Sequence, residues 1–181
     1  MAAKFVSDKN INFMLYEVFD AKSLTGFPYY EMHNKKMFDM VISATMKLGK
    51  NLLRPILEDM DKKPPELVDG EVKVHPDVPR IMKEFGEGGW ISAIFPTHEQ
   101  GDQMPVTVNN CCLFILAAAN YSASVYPGLS TGAAHLILSF GGKELIETYV
   151  PNMIQRKATG RQGKLGTGVI GQRLRYRGSS S

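Results

Sequence analysis

Cysteine is scarce in this sequence: of 181 residues only Cys111 and Cys112 carry a thiol, and the two are adjacent. Neighbouring cysteines rarely pair with each other, so a disulfide-stapled scaffold is excluded, and their apolar, helix-like surroundings mark them as small buried hydrophobes. No stretch of about 18 contiguous apolar residues occurs, and the longest, Cys111 to Ala119, is roughly half a bilayer span, which argues against a membrane-spanning segment. The N-terminus, MAAKFVSDKNINF, lacks the apolar core and small-residue cleavage pattern of a secretory signal. With the thiols, this predicts a cytoplasmic protein.

Acidic residues are missing from one region only. Residues 154–181 hold seven basic and no acidic side chains, which leaves 14 basic against 18 acidic, a charge of −4, in residues 1–153, behind the overall formal charge of +3. That basic stretch also contains six glycines and few bulky apolar residues, so it cannot bury enough surface to offset its ordering entropy and is expected to be mobile. The rest, in a chain that is 44% apolar, can close a core.

Strand-like alternation is nearly absent, and helical spacing is common. In DKNINFMLYEVFDA, Ile11, Met14, Leu15 and Val18 fall at helical intervals, predicting a short helix or an extended arm clamped by aromatics. Residues 36–60 place Phe38, Val41, Ile42, Leu48, Leu52, Ile56 and Met60 on one face, with Pro55 expected to kink or restart the helix near Leu52. Pro64, Pro65, Asp69 and Gly70 form a polar connection, with Val72 and Val74 in a small hairpin or extended segment. Asp77 can cap a helix bearing Val78, Ile81, Met82 and Phe85 that Gly86, Gly88 and Gly89 end. The stretch IFPTHEQGDQMP, residues 94–105, is polar and proline-bounded and reads as a surface loop. The most apolar helix, expected to be central, runs from Val106 to Ser122, and Tyr126, Pro127 and Gly128 interrupt it before helices at Thr131–Phe140 and Lys143–Met153. Five or six helices predict an all-α bundle with a basic, Gly-rich tail.

Motifs that carry chemistry are few. Gly166 to Gly171 reads G-T-G-V-I-G, the letters of a dinucleotide fingerprint, but no apolar strand precedes it and no crossover helix or ribose-binding acid follows, so it is read as a product of glycine-rich composition. His98 and Glu99 do not extend to the H-E-x-x-H that sets two imidazoles on one helical face, and read as a solvated loop pair. His33, His75 and His135 are dispersed. No nucleophile pairs with a base, so no catalytic, cofactor-binding or metal-binding residue is assigned. The basic tail, with Tyr176 for stacking, leaves room for a non-catalytic helical protein that binds nucleic acid or an acidic partner, although the aromatic interleaving of a nucleic-acid binder is missing.

Three stretches go beyond composition. FGGKELIETYVPNM resembles the acyl-CoA dehydrogenase helix pair in which a Phe-Gly turn leads to a charged helix ending in a Tyr-Leu-Pro or Tyr-Val-Pro step, here Phe140, Gly141, Glu144, Tyr149, Val150 and Pro151. EFGEGGWISAIFPTHEQGDQMP is similar to that family's helix, tryptophan and glycine-rich loop, with Gly89, Trp90, Pro96, Gly101 and Pro105 in step. NFMLYEVFDAKSL resembles the N-terminal extension of a bacterial subgroup that includes the 3-methylmercaptopropionyl-CoA dehydrogenases. One departure is Gln100, which stands where the family usually has the first of two glycines.

The resemblance implies an N-terminal extension at residues 1–35, a helical N-terminal domain at 36–153 and non-family sequence at 154–181 arising from a frameshift or gene truncation. It further implies FAD, an acyl-CoA thioester as substrate, a glutamate base, an electron-transfer partner and a homo-oligomer in the complete enzyme. The β-domain and C-terminal domain that hold the flavin and that base are expected to be missing, so the chain alone is expected to be inactive. Aligned through the Tyr-Pro step, Ser124, Val125 and Gly128, flanked by Tyr121 and Tyr126, are expected to form part of the wall around the acyl tail.

Overall fold

The computed structural model describes residues 5–154, and the basic segment with its G-T-G-V-I-G sequence lies outside them. Six α-helices and one two-stranded hairpin are present: α1 (Asp8–Asn12), α2 (Lys35–Leu48), α3 (Leu57–Lys62), β1 (Glu66–Val68), β2 (Glu71–Lys73), α4 (Val78–Glu87), α5 (Val106–Phe140) and α6 (Lys143–Ile154). The fold is all-α, a bundle around α5, which packs on α2, α3, α4 and α6.

The arm before α2 is a helix followed by a wider turn. Ser7 caps α1, its Oγ accepting from the Asn10 N–H, and Phe13–Val18 continue as a π-helical turn in which the Phe19 N–H reaches Met14 O at 3.0 Å. Ile11 and Leu15 are buried and fix the arm to Phe38, Ile42, Val108, Cys112 and Ile115 in one of two apolar clusters. At the surface Tyr16 donates from its hydroxyl to Asp39 at 2.6 Å, while Lys35 bonds the same carboxylate and lies 4.2 Å from the centre of the Tyr16 ring. Burial and the adjacent carboxylate push the Tyr16 hydroxyl pKa well above its usual value.

Asn34 opens α2 by accepting the Met37 N–H at 3.0 Å. Pro55 then has the effect its missing N–H predicts: the helix widens into a π turn at Gly49–Leu53 and tightens into a 3-10 turn at Arg54–Ile56 before α3 resumes. The Leu57 N–H bonds Arg54 O rather than the carbonyl four residues back, and Leu53 O, at the start of the 3-10 turn, takes a further donor from outside the helix. That donor comes from α5, 67 residues along the chain: Asn120 Nδ2 lies 3.2 Å away.

Asn120 also breaks α5. Its backbone is extended (φ −166°, ψ 100°), and its Oδ1 accepts the Ala123 N–H at 3.0 Å. This is the geometry of an N-cap, so α5 is two helices end to end, Val106–Ala119 and Tyr121–Phe140. The sequence placed the interruption at Tyr126–Gly128. Instead the second segment runs through Pro127, whose missing donor removes one bond, while Ser130 and Thr131 hydroxyls bond the Tyr126 and Pro127 carbonyls. By length and composition alone α5 is long and apolar enough to cross a membrane, although no contiguous apolar run in it approaches that length. In the fold it is the core helix: Val108, Ile115, Ala119, Ala123 and Ala134 are completely buried against the other helices.

Two further expectations need correction. Residues 94–105 are not simply a surface loop, because Phe95 is fully buried, Met104 is nearly so, and the Met104 N–H bonds Ala93 O at 2.8 Å, tucking both ends into the core. Asp77 stands at the N-cap of α4 without a side-chain capping bond; its backbone N–H instead donates to His75 Nδ1 at 3.2 Å. The hairpin pairs Leu67 with Val72 around Asp69 and Gly70, both at positive φ (51° and 79°) as a two-residue primed turn requires.

Candidate functional site

The residues singled out as an acyl-pocket wall lie on the second segment of α5. At 100° per residue, Tyr121, Ser124, Val125 and Gly128 fall on one side of that helix, and Tyr126 falls on another. The structure brings the first four together on a solvent-facing side: Tyr121 is 69% exposed, and no atom comes within 4 Å of a Cβ built on Gly128. Tyr126 instead packs against the core cluster that contains Phe85, Ile91 and Phe95. Ser124 Oγ is engaged with Tyr121 O at 2.9 Å, so this hydroxyl already has a partner.

Sequence reasoning stopped too early along this stripe. Gly132, Leu129 and Leu136 continue it; Gly132 also has nothing within 4 Å of an added Cβ, and both leucines are more than half exposed. The i, i+4, i+8 spacing of Ser124, Gly128 and Gly132 was the signal available for finding them. Together they form a shallow furrow floored by glycine and edged by leucine. A glycine inside an exposed helix costs roughly 1 kcal/mol relative to alanine, and nothing within the domain uses the space it opens.

One edge of the furrow is built by the segment after α4. Thr131 Oγ1 donates to Ile91 O at 2.9 Å, and the His135 ring stacks on buried Phe95 with centroids 6.0 Å apart and planes at 23°. The loop that follows is tightly folded. Gln100 has φ +62° and Gln103 φ +47°, both left-handed, and a Cβ on Gly101 would sit 1.8 Å from Phe95 O, a position only glycine can occupy. Glutamine at position 100 thus takes a conformation that suits a glycine and bears the strain.

Elsewhere an apolar groove of about 520 Å³ lies between the arm and the first segment of α5, with walls that include Ile11, Met14, Leu15, Phe19, Cys111 and Phe114. None of the five predicted wall residues borders it. Cys111 and Cys112 are half-buried and buried, and burial raises both thiols, that of Cys112 to about 11, so neither is a thiolate at neutral pH.

The histidines separate by environment. Buried His75 donates from Nε2 to Asp59 Oδ2 at 2.8 Å and accepts the Asp77 N–H at Nδ1, bracing α3 against the entry to α4. Hydrogen bonds from Lys63 and His75 hold the Asp59 carboxyl below its usual range. His98 is exposed, 3.9 Å from Glu99. No group of three His, Cys, Asp or Glu that could hold a metal ion occurs among the described residues.

A family model described as "Acyl-CoA dehydrogenase, N-terminal domain" matches residues 39–157. The chain belongs to this family. No curated protein matches it. In acyl-CoA dehydrogenases, which are generally FAD-dependent, this is the N-terminal domain, so the furrow, Gln100 and the loop edge are features of an acyl-CoA dehydrogenase N-terminal domain. The groove beside the arm does not fit a flavin dinucleotide: it is apolar and holds no cationic side chain for a pyrophosphate. No step through FAD is assigned to them.

Proposed function

We propose that this domain supplies one wall of the acyl pocket in a flavin-dependent acyl-CoA dehydrogenase, an enzyme that desaturates an acyl-CoA thioester between the α and β carbons. One observation carries the reading. The face of α5 bearing Tyr121, Ser124, Val125, Gly128 and Gly132 carries no charge, has its glycines uncovered, and follows an internal cap at Asn120. A helix face that costs stability when bare is what a wall awaiting a greasy tail requires. Serine and glycine at the floor with Tyr121 at one end suit a short or slightly polar acyl group, in keeping with the resemblance of the arm to the 3-methylmercaptopropionyl-CoA subgroup.

On this reading the flavin and the glutamate base are supplied by other domains of the enzyme, and the 181-residue chain alone does not turn over substrate. The uncovered face also favours self-association, consistent with the homo-oligomer, electron-transfer partner and cytoplasmic setting that belong to the proposal.

The test is a chimaera in which residues 36–153 replace the N-terminal domain of a full-length acyl-CoA dehydrogenase. Val125→Phe, which fills the furrow, should shift kcat/KM toward shorter acyl chains. Unchanged chain-length selectivity would remove this face from the pocket. A second reading, a helical protein whose seven basic residues beyond 153 grip a polyanion, predicts salt-sensitive binding of the 181-residue chain to arbitrary DNA.

A further inference from the structure

The furrow is held at one edge by Phe95, and Phe95 belongs to a loop that the N-terminal arm grips directly. His33, only 5% exposed, presents Nε2 to two carbonyls of that loop, Asp102 O at 2.8 Å and Gln103 O at 3.1 Å. Two acceptors on one nitrogen require that nitrogen to carry the proton, so His33 is a forked donor. Its Nδ1 is buried without a hydrogen-bond partner among the described residues, and its ring lies against Phe38, with centroids 5.8 Å apart. The ring is therefore held by packing on one side and by the loop backbone on the other.

Gln103 closes the grip from the loop side. Its Nε2 donates to Tyr29 O at 2.8 Å, and its Oε1 accepts from Thr97 N and Thr97 Oγ1 at 3.2 and 2.9 Å. Its own N–H bonds Phe95 O at 2.9 Å, the same carbonyl that leaves no room for a Cβ at Gly101. Both glutamines of the loop are in left-handed backbone conformations, which a free loop of this composition would leave. The contacts thus form a continuous physical chain: Tyr29 and His33 on the arm, Gln103 and the Phe95 carbonyl in the loop, the Phe95 ring, and His135 on the furrow.

We propose that His33 and Gln103 are positioning residues through which the N-terminal arm sets the edge of the acyl furrow, holding Phe95 against His135. The ligand class, an acyl-CoA thioester, rests on the function proposed above; the coupling from arm to furrow does not. Releasing the grip relaxes the left-handed glutamines, withdraws Phe95 from His135 and widens the furrow on that side.

The 181-residue chain has only four histidines, so their ring resonances can be assigned one by one in a 13C-histidine sample. His33→Ala should shift the His135 ring signals and speed amide exchange at Gly101, Gln103 and Met104 by roughly tenfold, while amides of α2 and the first segment of α5 keep their protection. His33→Gln, which restores an N–H donor of similar reach, should return both readouts toward wild type. Should His33→Ala fail to fold, Gln103→Ala, whose bonds lie nearer the surface, carries the same expectation. The proposal is overturned if neither variant moves the His135 signals, or if the loop loosens and His33→Gln rescues nothing. In the chimaera, extended here to residues 5–153 so that it includes the arm, His33→Ala should broaden chain-length selectivity. If His135 responds while neither His33→Ala nor Val125→Phe changes selectivity, the coupling stands and the acyl-pocket reading falls.

Discussion

The two segments of α5 meet at the kink at Asn120 and differ in what they face. Residues 106–119 bury Val108, Cys112 and Ile115 against the arm and α2 and Leu116 and Ala119 in the other cluster, with Val106, Leu113 and Phe114 left exposed. Tyr121–Phe140 buries a narrow strip at Ala123, Pro127 and Ala134 and leaves Tyr121, Leu129, Leu136 and Phe140 in solvent. The first segment joins both apolar clusters, the second only one. Glycine marks the change, because Gly128 and Gly132 weaken a helix that has no internal use for the space they leave.

The contrast can be broken most severely on the packed side. Ile115→Ala should cost about 3 kcal/mol in urea unfolding, the usual result of a cavity at a fully buried site, whereas Leu136→Ala should stay within about 0.5 kcal/mol. Equal losses would mean the second segment is packed in solution. Asn120→Ala, at the junction, removes both the donor to Leu53 O and the cap on Ala123 and should cost about 2 kcal/mol. Two substitutions should act in the opposite direction. Gln100→Gly relieves a left-handed glutamine and should stabilise by about 1 kcal/mol. Gly128→Ala should stabilise by roughly 0.5–1 kcal/mol, since the added methyl meets no atom; a loss would show that the furrow is already filled.

The smallest effect is a control remote from α5. Asp59 is ionised and bonded in the fold, with its pKa below the ordinary 3.8, so its contribution is present above that value and lost as pH falls through the lowered one. Asp59→Asn should therefore flatten the fall in melting temperature below about pH 4 and leave the contrast between the α5 segments unchanged.

What the sequence revealed and concealed divides along the range of the interactions. Pro55 acts on its own turn, so the disturbance near Leu52 was legible, as were the α2 face and the glycine pair ending α5. Asn120 was not, because its meaning lies in a carbonyl 67 residues away on another helical stretch. The same holds for His33 and His75, whose partners are a distant backbone and another helix. In IFPTHEQGDQMP the polar letters outnumber Phe95 and Met104, yet those two decide where the segment goes. The furrow was half visible: the family resemblance, not helical spacing, singled out Tyr121, Ser124, Val125, Gly128 and Tyr126, and the turn of Tyr126 toward the core depends on which side α4 occupies.

The hairpin sits apart from all of this. Every residue from 61 to 73 is exposed, and both flanking helices are anchored independently by Met60 and Val78. Chain inserted between Asp69 and Gly70 would meet no core side chain, and loop closure costs only about 0.6 kcal/mol for each doubling of length. That makes the tip a natural mounting point for a fluorophore or affinity handle, from which association of the domain with another molecule can be watched without touching either segment of the central helix.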